Sequence, residues 1–238
     1  MELQGKTALI TGGSKGIGRA IAEQMLQAGM NVGITGRSIN SLNLVTDELT
    51  AKYGDKVVSF EADVRDYTAQ QNAVSELVAK FGCLNVVIAN AGIGHFAPID
   101  EMTHEQWNDI IDINLTGVFN TVKAAVESIK KSEGYIITIA SLAGTNFFAQ
   151  GSAYNASKFG LVGFTQAIML DLRKYGVKVS TIMPGSVSTY FNDHTPNDAD
   201  AWKIQPEDIA ELTMNILNMN PRTLPSKIEV RPSRPGGK

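Results

Sequence analysis

Tyr154 and Lys158 stand four residues apart in a helical apolar pattern, so both side chains leave one face of a helix. A tyrosine hydroxyl ordinarily titrates at about 10, and an ammonium beside it favours the phenolate. Such a pair can pass a proton to or from an oxygen near neutral pH. Ser141, directly after the apolar run 135–140, carries a hydroxyl able to hold the same oxygen in place. Singly, each has a duller reading: a packed ring, a solvated lysine, a serine ending a strand. A second motif shifts the balance toward chemistry. Thr11, Gly12, Gly13, Ser14, Lys15, Gly16, Ile17 and Gly18 lie between the first apolar run and the first helical pattern. Gly12 permits a tight turn there. Gly16 and Gly18 let a diphosphate and the strand approach the helix backbone, whose open amides face the anion.

The second strand should end near Gly36. An acid there commonly binds adenosine ribose hydroxyls, but the residues are Thr35, Gly36, Arg37 and Ser38. Arg37 can pair with a 2′-phosphate, and Lys15 can reach the same group. Two solvated surface cations are the ordinary alternative. With the acid absent, the two cations favour NADP(H) over NAD(H).

The elements that must position these residues are visible as alternating patterns. Short β-branched runs fall at 7–11, 31–35, 56–61, 84–89, 135–140, 177–183 and 227–231, several of them apolar throughout. Such runs suit strands covered on both faces. Between them lie helical patterns such as 17–28 and 69–81. Gly29, Gly54, Gly82, Gly134 and Gly176 each precede a new strand, where a left-handed residue can end a helix. Thr103 with Gln106 and Thr68 with Gln71 fit capping boxes, and Pro206 suits a first helical turn. Seven strands and six main helices in one domain, 1–238, follow from right-handed strand–helix–strand crossovers. The tail 231–238 is expected to be loosely held, and the sequence leaves open whether Gly236, Gly237 and Lys238 are native.

In this order and spacing the motifs resemble the short-chain dehydrogenase/reductase family in its compact form. They are Thr11-Gly12-x-x-x-Gly16-Ile17-Gly18, Asn90-Ala91-Gly92, Asn114 in a long fifth helix, Ser141, Tyr154-x-x-x-Lys158, and Pro184–Gly185. The resemblance runs from about Gly5 to the last strand. It implies a Rossmann-type, doubly wound parallel sheet of seven strands with helices on both faces. It also implies that Lys158 binds the nicotinamide ribose and that Asn114 supports a water relay to Lys158. Asp63 and Val64 would contact the adenine, and Asn90 and Gly92 would line the cofactor floor. Pro184, Gly185, Val187 and Thr189 would hold the nicotinamide amide. Hydride would pass between cofactor and carbonyl carbon. Ala89 and Asn85 depart from the family's usual asparagine and aspartate at scaffold positions. A homodimer or homotetramer through two long helices is implied by resemblance alone.

The remaining residues bound the reading. The chain has 238 residues, 43% hydrophobic and 19% charged, with net charge −3, which excludes a mainly disordered chain. No apolar run is long enough to span a membrane, and the N-terminal residues do not resemble a signal peptide. A cytoplasmic protein is expected, and its mixed charges give no electrostatic reason to expect nucleic acid. Cys83 alone cannot form an internal disulfide, and His95, His104 and His194 lie on separate segments without metal-ligand spacing. His95 and Phe96 fall close to where substrate should lie. Phe147, Phe148, Tyr190 and Phe191 fall in two loops flanking the site. If they line the pocket, it suits a hydrophobic or aromatic carbonyl compound. Only about 16 residues separate Thr189 from Pro206, so a small, open pocket is expected. The leading expectation is an NADP(H)-dependent carbonyl reductase or alcohol dehydrogenase. The alternatives are a 3-oxoacyl-thioester reductase, with Lys130–Lys131 or Arg173–Lys174 as a basic docking patch, and a nucleotide-binding regulatory protein without turnover.

Overall fold

The computed structural model describes residues 2–234. Gly236, Gly237 and Lys238 lie outside the described residues. Seven parallel strands form one sheet, in the order β3-β2-β1-β4-β5-β6-β7. They are β1 Thr7–Thr11, β2 Asn31–Gly36, β3 Val57–Glu61, β4 Val86–Ala89, β5 Tyr135–Ile139, β6 Lys178–Pro184 and β7 Lys227–Val230. The helices are α1 Gly16–Gln27, α2 Ile39–Tyr53, α3 Tyr67–Phe81, α4 His104–Ile111, α5 Gly117–Ser132, α6 Ser152–Leu172 and α7 Pro206–Asn218. Winding reverses between β1 and β4, where Ala8 pairs with Val86 and Ile10 with Ile88. This is the Rossmann-type doubly wound arrangement, and a crevice opens at the C-terminal ends of the strands on either side of that reversal.

Alternation along the strands splits the core in two. Ile10, Ile34, Ile88 and Ile137 point to one face, against Ile21 and Met25 of α1, Leu42 of α2 and Ile209 of α7. Leu9, Val87, Ile136 and Val179 point to the other, against Leu77 of α3, Val122 of α5 and Leu161 of α6. Burying one such side chain contributes roughly 1.5–3 kcal/mol relative to exposure, so both faces of the sheet are strongly held and its loop end can be spared for function.

Several local expectations are met and others corrected. Thr103 and Gln106 form the capping box of α4, and Pro206 opens α7. The cap of α3 is Asp66, whose carboxylate accepts from the Ala69 amide at 3.1 Å. Thr68 lies inside the helix instead, because a carboxylate one residue before Tyr67 already fills that role. Gly29, Gly54, Gly82 and Gly176 adopt positive φ, but at the 132–134 turn Glu133 takes it (φ 48°). Gly134 is needed for space, since a Cβ there would lie 2.3 Å from the Asn85 carbonyl oxygen. Helices α4 and α5 are joined through a π-helical turn, Asp112–Thr116, without leaving helical backbone. Read as one rod, they restore six main helices among the described residues and place Asn114 in the fourth rod, not a fifth. Before the tail, β7 is fastened where the Gly185 amide donates to the Val230 carbonyl at 2.7 Å, and the first residue of the tail, Arg231, makes an exposed pair with Glu229 at 3.0 Å.

Candidate active site

The crevice has a volume of about 1880 Å³, larger than an ordinary small-ligand pocket and enough for a dinucleotide with substrate. Its floor begins at the glycine turn. The Gly12 and Gly13 amides donate to the Thr35 carbonyl at 2.9 and 3.2 Å, fastening the turn to the end of β2. Asn90 Nδ2 donates to the Thr11 and Gly12 carbonyls at 2.9 and 3.2 Å. Thr11 Oγ1 accepts from the Asn90 and Ala91 amides at 3.1 Å each. Gly18 packs the helix onto the turn, for a Cβ there would meet the Gly12 oxygen at 2.4 Å.

Ser38, Asp66 and Thr103 cap α2, α3 and α4 through their side chains, whereas the first turn of α1 has neither a side-chain cap nor an acid. Those amides therefore suit an external anion, and the glycine turn leaves room for it. The residues present fit a dinucleotide diphosphate.

Around the opposite half of the crevice, Ser141 continues from β5 in extended backbone, and its Oγ accepts from the Ala143 amide at 3.1 Å. Tyr154 and Lys158 project together from α6, with the Lys158 Nζ 5.7 Å from the centre of the Tyr154 ring. Lys158 Nζ donates to the Ile139 carbonyl at 3.1 Å. Both side chains are buried. Burial pushes the Tyr154 hydroxyl up to about 12, with the Ser141 hydroxyl opposing the shift. Burial also brings the Lys158 ammonium down to about 8. The depression of the phenol expected from its lysine is not what the site produces: desolvation dominates, opposed by the Ser141 hydroxyl, and the tyrosine is held as a proton donor.

Asn114 stands in the π-helical turn behind this pair. Its Oδ1 accepts from the Ile93 amide at 2.8 Å, and its Nδ2 donates to the Ile93 carbonyl at 2.9 Å and to Ser157 Oγ at 3.2 Å. Gly92 completes the floor between them, where a Cβ would sit 3.2 Å from Asn114 Oδ1 and 3.7 Å from Lys158 Nζ.

The crevice brings together every residue singled out from the sequence for cofactor, proton transfer and substrate except Gly18 and Asn114, which support it from behind. Lys15 lies 5.7 Å from the Tyr190 ring centre, beneath the loop after β6. At the other end, partial burial raises the Asp63 pKa, but Arg65 at 2.7 Å and the charge of Arg37 bring it below the usual carboxylate range. Asn85 Oδ1, at the departure from the family pattern, accepts from the Thr7 amide at 2.9 Å and from Cys83 Sγ at 3.1 Å, so β1 and β4 stay tied.

Sequence reasoning missed Asp200. Its buried carboxylate accepts from Lys203 at 2.5 Å, from His194 Nε2 and from Ser188 Oγ at 3.2 Å. Lys203 and His194 hold it well below the usual range. One carboxylate thereby ties both ends of the segment carrying Thr189, Tyr190 and Phe191, and the short loop is anchored, not simply open. The local signals are the Asn197–Asp200 capping pair and Lys203 three residues after Asp200. Asp200→Asn should raise KM for cofactor and substrate by about 3- to 10-fold with a smaller change in kcat. Steady-state kinetics with each varied in turn checks this, and an unchanged KM for both refutes the tie.

A short chain dehydrogenase family model matches residues 6–200. The chain belongs to the short-chain dehydrogenase/reductase family. It is an oxidoreductase fold with nicotinamide-bearing relatives. This short-chain dehydrogenase/reductase is 34% identical over 237 residues to an uncharacterized oxidoreductase of Staphylococcus saprophyticus, covering 98% of this chain and 99% of the relative. It is 36% identical over 190 residues to the 3-oxoacyl-[acyl-carrier-protein] reductase FabG of Escherichia coli, covering 79% and 76%. Its fold matches the X-ray structure of an alcohol dehydrogenase from the archaeon Thermococcus sibiricus complexed with 5-hydroxy-NADP. That match has TM-score 0.91 and 28% identity, over 97% of this chain and 98% of that one. Other solved neighbours hold NADP or NAD. Among the described residues no helix is long and apolar enough to cross a membrane.

Proposed function

We propose that this short-chain dehydrogenase/reductase is an NADP(H)-dependent enzyme interconverting a carbonyl compound and its secondary alcohol. The observation that carries the reading is the convergence of Ser141, Tyr154 and Lys158 on one crevice whose other end is an uncapped glycine turn with Lys15 and Arg37 at its rim. When bound, the nicotinamide supplies or accepts the hydride. Tyr154 gives the proton that converts the carbonyl oxygen to a hydroxyl, and takes it back in the reverse direction. Ser141 holds that oxygen by a hydrogen bond. Lys158 stabilises the phenolate left behind, and Asn114, clamped on Ile93, keeps the floor beneath Lys158 in place. A protein that only bound the nucleotide would need no proton donor here. Activity of the purified protein with NADPH on a panel of ketones, diketones, sugars and acyl thioesters tests the reading, and binding of NADPH without turnover on the panel overturns it.

A second reading, reduction of 3-oxoacyl thioesters, is favoured by the similarity to the FabG relative. Its candidate docking cations are partly engaged: Lys130 pairs with Glu127 at 3.0 Å and lies 4.2 Å from the Tyr175 ring centre. Assembly as a homodimer or homotetramer through α5 and α6, where Phe119, Phe159 and Leu170 are exposed, and a cytoplasmic location belong to the same proposal.

The two shifted groups fix the sign of the pH dependence. Tyr154, pushed up to about 12, stays protonated through neutral pH, while Lys158, brought down to about 8, loses its charge above that pH. Carbonyl reduction should hold level below about 8 and fall above it, by up to about tenfold per pH unit, as the phenolate loses its cationic neighbour. Alcohol oxidation, which needs the phenolate beside a charged lysine, should rise up to about pH 8 and level off above it. The profile of kcat/KM in both directions checks this; reduction that climbs through pH 8 contradicts it.

A further inference from the structure

Two glycines at the mouth of the crevice lack the backbone reason for being glycine. Neither Gly94 nor Gly151 has a positive φ. What they provide is space. A Cβ at Gly94 would lie 2.5 Å from Phe191 Cζ and 3.1 Å from Phe96 Cζ, and one at Gly151 would lie 2.7 Å from the Phe148 ring. Each glycine is a seat for an aromatic ring. The seated rings converge on the proton donor. The Phe96 centroid is 5.5 Å from that of Tyr154 and 5.6 Å from that of Phe148, both in edge-on contact, and Phe191 lies 5.6 Å from Tyr154.

The ring of Phe148 is also fixed through the backbone. Asn155, the residue after Tyr154 and 8% exposed, donates from Nδ2 to the Ala143 and Asn146 carbonyls at 2.8 Å each and accepts from the Phe148 amide at 3.4 Å. The loop bearing one wall is thus tied to the helix bearing the acid. Yet Phe96 and Phe148 remain 36% and 48% exposed. Rings held this firmly while still facing water form an apolar surface prepared for a ligand.

We infer that Phe96, Phe148 and Phe191 form an aromatic slot that selects substrates whose reacting carbonyl is attached to a flat aromatic ring. The inference rests on the carbonyl-reduction reading above and adds its substrate class. Edge-on partners favour an aromatic guest beyond the area it buries, whereas a linear chain gains from area alone. The carbonyl carbon of an aryl ketone takes hydride from NADPH, its oxygen takes the Tyr154 proton, and the products are the benzylic alcohol and NADP+.

The test compares acetophenone with 2-octanone, ketones of equal carbon number, using the purified chain and NADPH, with NADH in parallel. The wild type should prefer the aryl ketone by about tenfold or more in kcat/KM. Phe96→Leu and Phe148→Leu, which keep an apolar side chain, should each lower the aryl-to-alkyl ratio by about 3- to 10-fold. Gly94→Ala, which displaces Phe191, should lower it too; the two leucine variants keep the test valid if that variant fails to fold. Equal use of the two ketones by the wild type, or a ratio unmoved in both leucine variants, overturns the slot alone. Failure to reduce either ketone with either cofactor overturns the slot, and the carbonyl-reduction reading falls with it only when the wider panel of carbonyl compounds is not turned over either.

Discussion

Tyr154→Phe should lower carbonyl reduction by about 100-fold or more while leaving NADPH binding nearly unchanged. The substitution removes one oxygen and keeps the ring. The contacts of that ring with Phe96 and Phe191 survive, so the loops at the mouth keep their support. What disappears is the phenol that burial pushes up to about 12 and keeps protonated. General acid catalysis by a placed side chain contributes on the order of 100- to 10,000-fold, and Ser141 can orient the oxygen, but an aliphatic hydroxyl is a far weaker acid than a phenol and does not replace it. Single-turnover reduction, which isolates chemistry from product release, together with a fluorescence titration of NADPH, measures the two quantities separately. A variant that reduces at nearly the wild-type single-turnover rate removes Tyr154 from the role of acid.

The wild type should prefer NADPH to NADH by at least about tenfold in kcat/KM, and Gly36→Asp combined with Arg37→Ala should reverse that preference. A charge-assisted contact to the 2′-phosphate contributes ~1.5–3 kcal/mol, discounted here because the cations sit at an open rim. Arg37 provides a planar fork and Lys15 a point charge. Asp63 does not oppose the phosphate at full strength, because Arg65 holds it at 2.7 Å. The new aspartate fits: a Cβ at Gly36 would make ordinary contact with Leu42 at 3.5 Å, and the backbone there has no positive φ. A carboxylate at that position repels the phosphate and accepts from bare ribose hydroxyls. Both cofactors are compared in wild type and variant at one ionic strength, since exposed charges are screened by salt. A wild type that uses NADH as well as NADPH refutes the assignment of Lys15 and Arg37.

The strands were legible because those of a parallel sheet are buried on both faces and read as unbroken apolar runs. Their ends shifted by one or two residues: β4 begins at Val86, because Asn85 spends its side chain on the Thr7 amide. Residues joined by short spacing, such as Tyr154 with Lys158, could be paired from the sequence. Those joined only by the fold could not. Nothing local connects Gly94 to Phe191, or Asp200 to Ser188, and an irregular loop offers no periodicity from which to infer them. The π-helical turn was equally hidden, since an extra residue in a helical rod leaves the apolar pattern almost unchanged. The upward shift of Tyr154 depends on how much protein covers it, which composition does not record.

The tie between Thr7 and Asn85 spans 78 residues of chain, and the bond from the Asn90 amide to Thr11 spans 79. Closing so long a segment costs chain entropy before any contact rewards it, so strand pairings of this kind come late and slow the folding of parallel sheets. Here the long-range pairing is also the one that builds the floor beneath the glycine turn. A folding intermediate with only β1, β2 and β3 assembled would hold that turn but lack Asn90, Gly92 and the whole of α6. It has half a crevice and no proton donor. A nucleotide that binds only the finished crevice therefore stabilises the completed fold by mass action.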